Sequence, residues 1–96
     1  MYIINLTYKV PLTTVDTHLE AHVEFLNQQY SLGNFLMSGR KEPRNGGIII
    51  TPLTNREQLL KIIDQDPFKI HGLADYELIE FIPSKTSKEL EFLLGT

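Results

Sequence analysis

The sequence predicts a small α+β domain whose strands and helices follow one another in the order β-α-β-β-α-β. Two observations support this prediction. Four short segments have the apolar alternation or the β-branched composition of strands. Two longer segments place apolar residues three and four positions apart, as an amphipathic helix does. With 96 residues the chain suits one such domain and leaves little room for a second.

The first strand and the first helix follow from the first third of the chain. Residues 2–10 alternate, and Pro11 ends the strand because it cannot donate to a ladder. Thr13 or Thr14 is expected to cap a helix, and Gly33 to follow its last residue. The apolar face of this strand is expected to consist of Ile4, Leu6, Tyr8 and Val10.

A hairpin and a second helix are predicted next. The segments NFLMSGR and GIIIT have the composition of strands, and the Asn45-Gly46 pair between them is typical of a tight turn. Thr54 or Asn55 is expected to cap the helix that follows. The apolar stripe of this helix consists of Leu59, Leu60, Ile62 and Ile63.

The last third of the chain predicts a fourth strand and a terminal helix. Residues 75–82 alternate, and Pro83 ends this strand. A short helix capped by Ser84 or Ser87 is predicted after it. We therefore expect a single domain over residues 1–96, with a core over 1–83 and a C-terminal helical extension over 84–96.

Together these elements predict a ferredoxin-like fold, in which an antiparallel four-stranded sheet carries two helices on one face. The segments FLM and III place apolar side chains on both faces of the middle strands. Because a large apolar sheet face is rarely left in water, we expect a homodimer packed through the sheet faces.

Composition narrows the classes of function. The net charge is −3 and the Lys and Arg residues are scattered, so no basic patch for nucleic acid is expected. The chain has no cysteine, which excludes thiolate ligands and cysteine nucleophiles. The N-terminus lacks the pattern of a signal peptide, and no apolar stretch approaches the roughly 18 residues that span a bilayer. We therefore expect a cytoplasmic protein whose ligand is a small molecule.

Two histidines of the first helix, His18 and His22, lie four residues apart and share one helical face. Counting about 100° per residue from Val15 places His22 inside the apolar stripe and His18 at its partly exposed edge. HLEAH is not the HExxH zinc motif and no third ligand is placed by spacing, so we expect no metal. His22 is then either a core histidine or a general acid/base, and the second role needs a carboxylate partner. Asp66 is a candidate, although an aspartate before a proline is by itself an ordinary helix cap.

Three stretches resemble the YciI-like (YCII-related) family of dimeric α+β barrel proteins, and together they reach nearly to Pro83. They are HVEFL with Gly33 eleven residues after its histidine, GNFLMSG, and DQDPFKIHGLADYELIEF. The resemblance implies a dimer formed through the sheet faces and a pocket between the sheet and the helices. It also implies that His22 and Asp66, at the positions of the family's histidine and aspartate, form a catalytic dyad.

The chain departs from the family pattern at two positions. Arg40 stands where the pattern has proline, and His71 stands where it has alanine. Arg40 is a candidate for binding a substrate carboxylate or phosphate, against the commoner alternative of a solvated loop arginine. Ser38, His18 and His71 are the other candidate substrate-binding residues. The terminal helix also extends past the usual end, where it would cap the barrel or build a higher oligomer.

Three functional hypotheses remain open. The first is a cofactor-independent enzyme acting on a small anionic or aromatic molecule, with His22 moving a proton and Asp66 holding its tautomer. Such a dyad suits elimination (including dehalogenation), isomerisation or hydrolysis. The second is a non-catalytic dimeric module that holds a small metabolite in the same pocket. The third is a purely structural role for both residues, as packing and capping groups.

Overall fold

Four antiparallel strands form the sheet of the computed structural model, which describes residues 1–96. The strands are β1 (Tyr2–Tyr8), β2 (Met37–Arg40), β3 (Gly46–Thr51) and β4 (Ala74–Glu80). They lie in the order β2-β3-β1-β4, and each neighbouring pair is antiparallel. With helices after β1 and β3, this is the ferredoxin-like arrangement, and the predicted fold is confirmed.

The helices follow the predicted order with one interruption. They are α1 (Leu12–Thr17), α2 (Leu19–Ser31), α3 (Arg56–Ile63), α4 (Pro67–Ile70) and a C-terminal 3₁₀-helix (Lys88–Leu93). The predicted first helix is divided at His18, whose backbone (φ −107°, ψ 4°) closes α1 and opens α2. The prediction of a cap at Thr13 or Thr14 is wrong, because α1 begins directly after the extended residue Pro11. Asn55 caps α3 as predicted, accepting a backbone N–H at 3.0 Å.

The C-terminal segment is helical, as predicted, but tighter than an α-helix. Its 3₁₀-helix begins after Ser87, whose side chain makes no capping hydrogen bond. Leu93 is its one buried residue. None of the helices in the structure combines the length and the apolar character needed to cross a bilayer.

Three strands are shorter than predicted: β2 covers only the last four residues of NFLMSGR, and β1 and β4 end early because each needs the other as a partner. β1 and β4 pair from Tyr2 opposite Glu80 to Tyr8 opposite Ala74. One residue past these ends, Lys9 and Phe81 each donate a last backbone hydrogen bond, to Leu73 and Met1, and the paired ladder goes no further. Apolar alternation continues past that point in the sequence, which is why the pattern alone predicts longer strands.

Gly46 marks a close approach of two strands instead of the predicted tight turn. It is the first residue of β3, and residues 41–45 form the loop before it. A β-carbon at this position would lie 1.7 Å from the carbonyl oxygen of Leu6 on β1. Only glycine has the space to stand here.

One face of the sheet carries the α-helices and the buried core. Ile4 and Leu6 of β1 and Ile49 of β3 are at most 3% exposed and belong to one apolar cluster. Phe25 of α2 and Leu59 of α3 are members of the same cluster, which places both helices on this face. The core therefore lies between the sheet and the helices, as in other folds of this class.

The opposite, open face of the sheet carries no α-helix and has a mixed character. At one end the ammonium group of Lys41 donates to Asn5 Oδ1 at 2.9 Å and to Thr7 Oγ1 at 3.1 Å. Elsewhere this face is apolar, and its side chains are half-buried or exposed. They are Ile3, Met37, Ile48, Ile50 and Ile79.

Candidate active site

His22 and Asp66 meet in the core although 44 positions separate them in the sequence. Nδ1 of His22 lies 2.7 Å from Oδ1 of Asp66. Both side chains are buried, His22 to 9% exposure and Asp66 to 1%. Phe25 and Gln29 are the other buried residues of α2, so His22 lies on the sheet-facing side of that helix.

The local sequence holds the Asp66 carboxylate in place. Asp66 is the N-cap of α4 and Pro67 occupies the first turn, so Oδ1 accepts the backbone N–H of Phe68 at 3.0 Å. The second oxygen, Oδ2, accepts the Tyr76 hydroxyl at 2.5 Å. The carboxylate therefore has three donors around it. Because an ionised carboxylate only accepts hydrogen bonds, Nδ1 of His22 is assigned as the third donor.

Phe68 fixes the plane of the His22 imidazole. The two ring centroids are 3.9 Å apart and the planes differ by 4°. The ring of Tyr8 packs against Phe68 in turn, in a T-shaped arrangement with 5.8 Å between centroids. Asp66 thus sets the rotation of the imidazole within its plane, and Phe68 sets the plane. Nε2 of His22 makes no hydrogen bond within the chain and is available to a ligand.

His22 forms part of the wall of a cavity of about 170 Å³ between α2 and the sheet. A cavity of about 150 Å³ accepts benzene, so this one has room for a single substituted ring. Leu19 of α2 also lines this cavity and is 37% exposed. Arg40 is the only lining residue with a permanent charge. The apolar part of the wall includes Leu6, Val23, Leu26 and Ile49.

Two tyrosines at the site are missed by the sequence analysis, which assigns both to the apolar alternation of strands. Burial raises the pKa of Tyr76, and the Asp66 charge and hydrogen bond raise it further, so the hydroxyl remains a donor. Burial also raises the pKa of Tyr8, which lines the cavity and whose hydroxyl has no hydrogen-bond partner within the chain. The sequence offers one signal for both tyrosines: each places a hydroxyl on the strand face that carries the helices, where a purely apolar side chain is expected.

The structure brings two of the candidate substrate-binding residues to the cavity and places two elsewhere. Ser38 and Arg40 line the cavity, because the register of β2 turns both toward the helices. Ser38 Oγ also shares a 2.6 Å hydrogen bond with the hydroxyl of Tyr30 on α2. His18 and His71 line no part of the cavity, and their rings instead stack with centroids 4.1 Å apart. No three His, Asp or Glu side chains cluster in a way that would hold a metal ion.

These features define a small ferredoxin-like domain with an aspartate-bound histidine in the wall of a pocket for one ring. The chain belongs to the YCII-related domain family, whose model matches residues 1–82. The resemblance seen in three stretches of the sequence is thereby confirmed. Residues 83–96, with the 3₁₀-helix, lie beyond the match.

The fold is similar to that of 5-chloro-2-hydroxyhydroquinone dehydrochlorinase from Burkholderia phenoliruptrix AC1100, in the structure of its complex with 2,5-dihydroxybenzoquinone. The TM-score is 0.71 at 16% identity, and the alignment covers 93% of this chain and 98% of that one. At this identity the likeness shows a shared fold alone. No curated protein matches the sequence significantly.

Proposed function

We propose that the chain is an enzyme that transfers protons on a small hydroxylated ring compound without a cofactor. His22 is the general acid/base, and Asp66 orients it. The observation that carries the proposal is the 2.7 Å contact between His22 Nδ1 and Asp66 Oδ1 in the wall of the cavity. It leaves Nε2 as the one imidazole nitrogen that is able to meet a substrate.

The chemistry follows from the tautomer that Asp66 selects. With the proton on Nδ1 and donated to Asp66, Nε2 carries the lone pair and takes a proton from a substrate hydroxyl or an acidic C–H. The imidazolium that forms lies beside a buried carboxylate, which stabilises its charge. The electron pair left on the substrate forms a new double bond and either expels an anion, which is elimination, or is reprotonated at another atom, which is isomerisation.

Two observations support a substrate with one ring. The cavity of about 170 Å³ has room for a substituted ring and little more. The fold neighbour is a dehydrochlorinase whose structure holds 2,5-dihydroxybenzoquinone, a single hydroxylated ring. Elimination of chloride from a chlorinated hydroquinone is therefore the first reaction to test, with hydrolysis as a further outcome of the same assay.

The test compares two aspartates that lie two positions apart. Asp66→Asn retains a residue that caps a helix but replaces the carboxylate, and His22→Gln removes the base. Both should lower chloride release from chlorinated hydroquinones, or deuterium exchange from D₂O into unchlorinated ones, by about 10²–10⁴-fold. Asp64→Asn, at the exposed end of α3, is the matched control and should keep the wild-type rate.

Each result bears on the choice between enzyme and binding module. Activity in Asp66→Asn equal to the wild type would contradict the role of the carboxylate. Binding of hydroquinones without turnover would favour the non-catalytic metabolite-binding module. The ¹⁵N shifts of His22 in the wild type and in Asp66→Asn report directly whether the carboxylate selects the Nδ1–H tautomer.

We also propose that the chain forms a homodimer through the open face of the sheet. On this face Ile79 is exposed and Ile3 and Ile50 are half-buried, and large apolar patches on a monomer commonly mark an interface. Light scattering should give about twice the 11.0 kDa chain mass for the wild type. Ile50→Glu should give the monomer, whereas Leu32→Glu, on an exposed helix end away from this face, should leave the dimer intact.

A further inference from the structure

One unpaired cation lies at the wall of the cavity beside His22, on the exposed edge strand β2. Arg40 lines the cavity, and the guanidinium makes no hydrogen bond or ion pair within the chain. Arg44, the next arginine along the chain, is instead held by Asp16. An arginine at a pocket wall with no protein partner has its full set of donors available to a ligand.

No acidic group offsets this charge inside the cavity. The lining residues include no Asp or Glu. The nearest carboxylate of the site, Asp66, is 1% exposed, and both of its oxygens are occupied by His22, Phe68 and Tyr76. A ligand in the cavity can therefore contact the Arg40 guanidinium directly, whereas the His22 imidazole stands between it and the Asp66 carboxylate.

The position of Arg40 also separates the binding of charge from the chemistry. Arg40 lies on β2 opposite Gly47 of β3, and Leu6 of β1 lies opposite the other side of Gly47. The cation thus stands at the edge of the sheet, while His22 approaches from α2. Apolar side chains line the cavity between the sheet and the helix. This layout suits a flat molecule with a charged end and an apolar body.

We propose that the substrate is a single-ring anion whose carboxylate or ionised hydroxyl is bound by Arg40 while its ring lies against the apolar wall. The proposal rests on the proposed function for the site and narrows its substrate class. The planar guanidinium binds a carboxylate through two parallel hydrogen bonds and an ionised hydroxyl through one. The volume of about 170 Å³ matches a single substituted ring more closely than a nucleotide or a fused multi-ring compound.

The test measures binding and needs no turnover. Calorimetry or NMR titration compares benzoate with benzamide, a neutral molecule of the same shape, and 4-nitrophenolate with nitrobenzene. The wild type should prefer each anion by about tenfold or more at low salt, since a hydrogen bond to a charged group is among the stronger ones. Arg40→Gln should reduce the preference to less than about threefold, and Arg40→Lys should retain part of it. Which anion shows the larger preference distinguishes a carboxylate from an ionised hydroxyl.

Matched variants keep the outcome interpretable. Arg56→Gln removes an arginine outside the cavity and should keep the full preference. His22→Gln should also keep it, so a protein that selects anions but lacks turnover would contradict the proposed reaction and not this inference. The inference is overturned if the wild type binds neither anion at millimolar concentration or shows no preference. It is equally overturned if Arg40→Gln, folded by circular dichroism, selects anions as well as the wild type.

Discussion

Replacing Tyr76 by phenylalanine removes one hydroxyl from the site and leaves the ring in place. In the native protein this hydroxyl donates to Oδ2 of Asp66 at 2.5 Å, and the side chain is partly buried. A hydrogen bond to a charged group contributes about 1.5–3 kcal/mol to stability. We therefore expect Tyr76→Phe to lower the free energy of unfolding at neutral pH by about 1.5–3 kcal/mol.

The same residue predicts how stability depends on pH. Burial and the Asp66 carboxylate raise the pKa of Tyr76 above 10.0, so the native state keeps a proton that the unfolded chain loses. This stabilisation is fully present below about pH 10 and is lost as the pH rises further, at about 1.4 kcal/mol per pH unit. The wild type should lose its advantage over Tyr76→Phe within about one to two pH units above pH 10.

Urea unfolding followed by circular dichroism, between about pH 7 and pH 12, measures both effects. Tyr2 and Tyr8, whose pKa values burial also raises, are present in both chains and cancel in the comparison. Tyr30→Phe is the control at neutral pH, because its hydroxyl is exposed and bonds a neutral partner, and it should cost less than about 1 kcal/mol. Equal losses in the two variants, or parallel pH profiles for the wild type and Tyr76→Phe, would refute the reasoning.

Two further predictions concern the start of β3 at Gly46 and the ion pair between Arg44 and Asp16. Gly46→Ala should lower the free energy of unfolding by more than about 3 kcal/mol or prevent folding, because the new β-carbon has no room. Gly39→Ala, where a β-carbon meets open space, should change the free energy of unfolding by less than about 1 kcal/mol. Urea unfolding of the two variants tests this difference. The hydrogen bond from Arg44, and then its charge, lower the pKa of the Asp16 carboxyl, so Arg44→Gln should raise that pKa toward 3.8 in a ¹³C NMR titration, and an unchanged titration would contradict the ion pair.

Features that depend on neighbouring residues are predictable from the sequence. The cap at Asn55 and the cap formed by Asp66 before Pro67 both follow from rules that span four residues or fewer, and the structure contains both. The alternation of β1 likewise places Ile4 and Leu6 in the core. These local patterns, placed in order, were sufficient to predict the ferredoxin-like fold.

Features that depend on distant partners are not predictable from the sequence. The end of β4 is set by where β1 begins, which no pattern within β4 contains. The break at His18 and the start of α1 at Leu12 also escape the periodicity, which continues through both positions. In each case the tertiary partner, and not the segment itself, decides the boundary.

The candidate site likewise combines features that the sequence predicts with features that depend on distant partners. The helical wheel places His22 on the buried face. Its contact with Asp66, 44 positions away, is predicted by the family resemblance alone. Alternation places Tyr76 on the correct face of β4, yet nothing in its spacing indicates that the cap of α4 lies within reach of its hydroxyl. The sequence also gives no indication that His18 stacks on His71, and it predicts both as substrate-binding residues.

The cap of α4 has a consequence for protein engineering. Three consecutive residues, Asp66, Pro67 and Phe68, start a helix, accept the hydrogen bond of Nδ1–H and supply the ring stacked on His22. A scaffold that places such a tripeptide opposite a histidine on a neighbouring helix would orient the imidazole with one short insertion. The same arrangement means that a substitution in the tripeptide changes the start of α4 and the orientation of the His22 imidazole together.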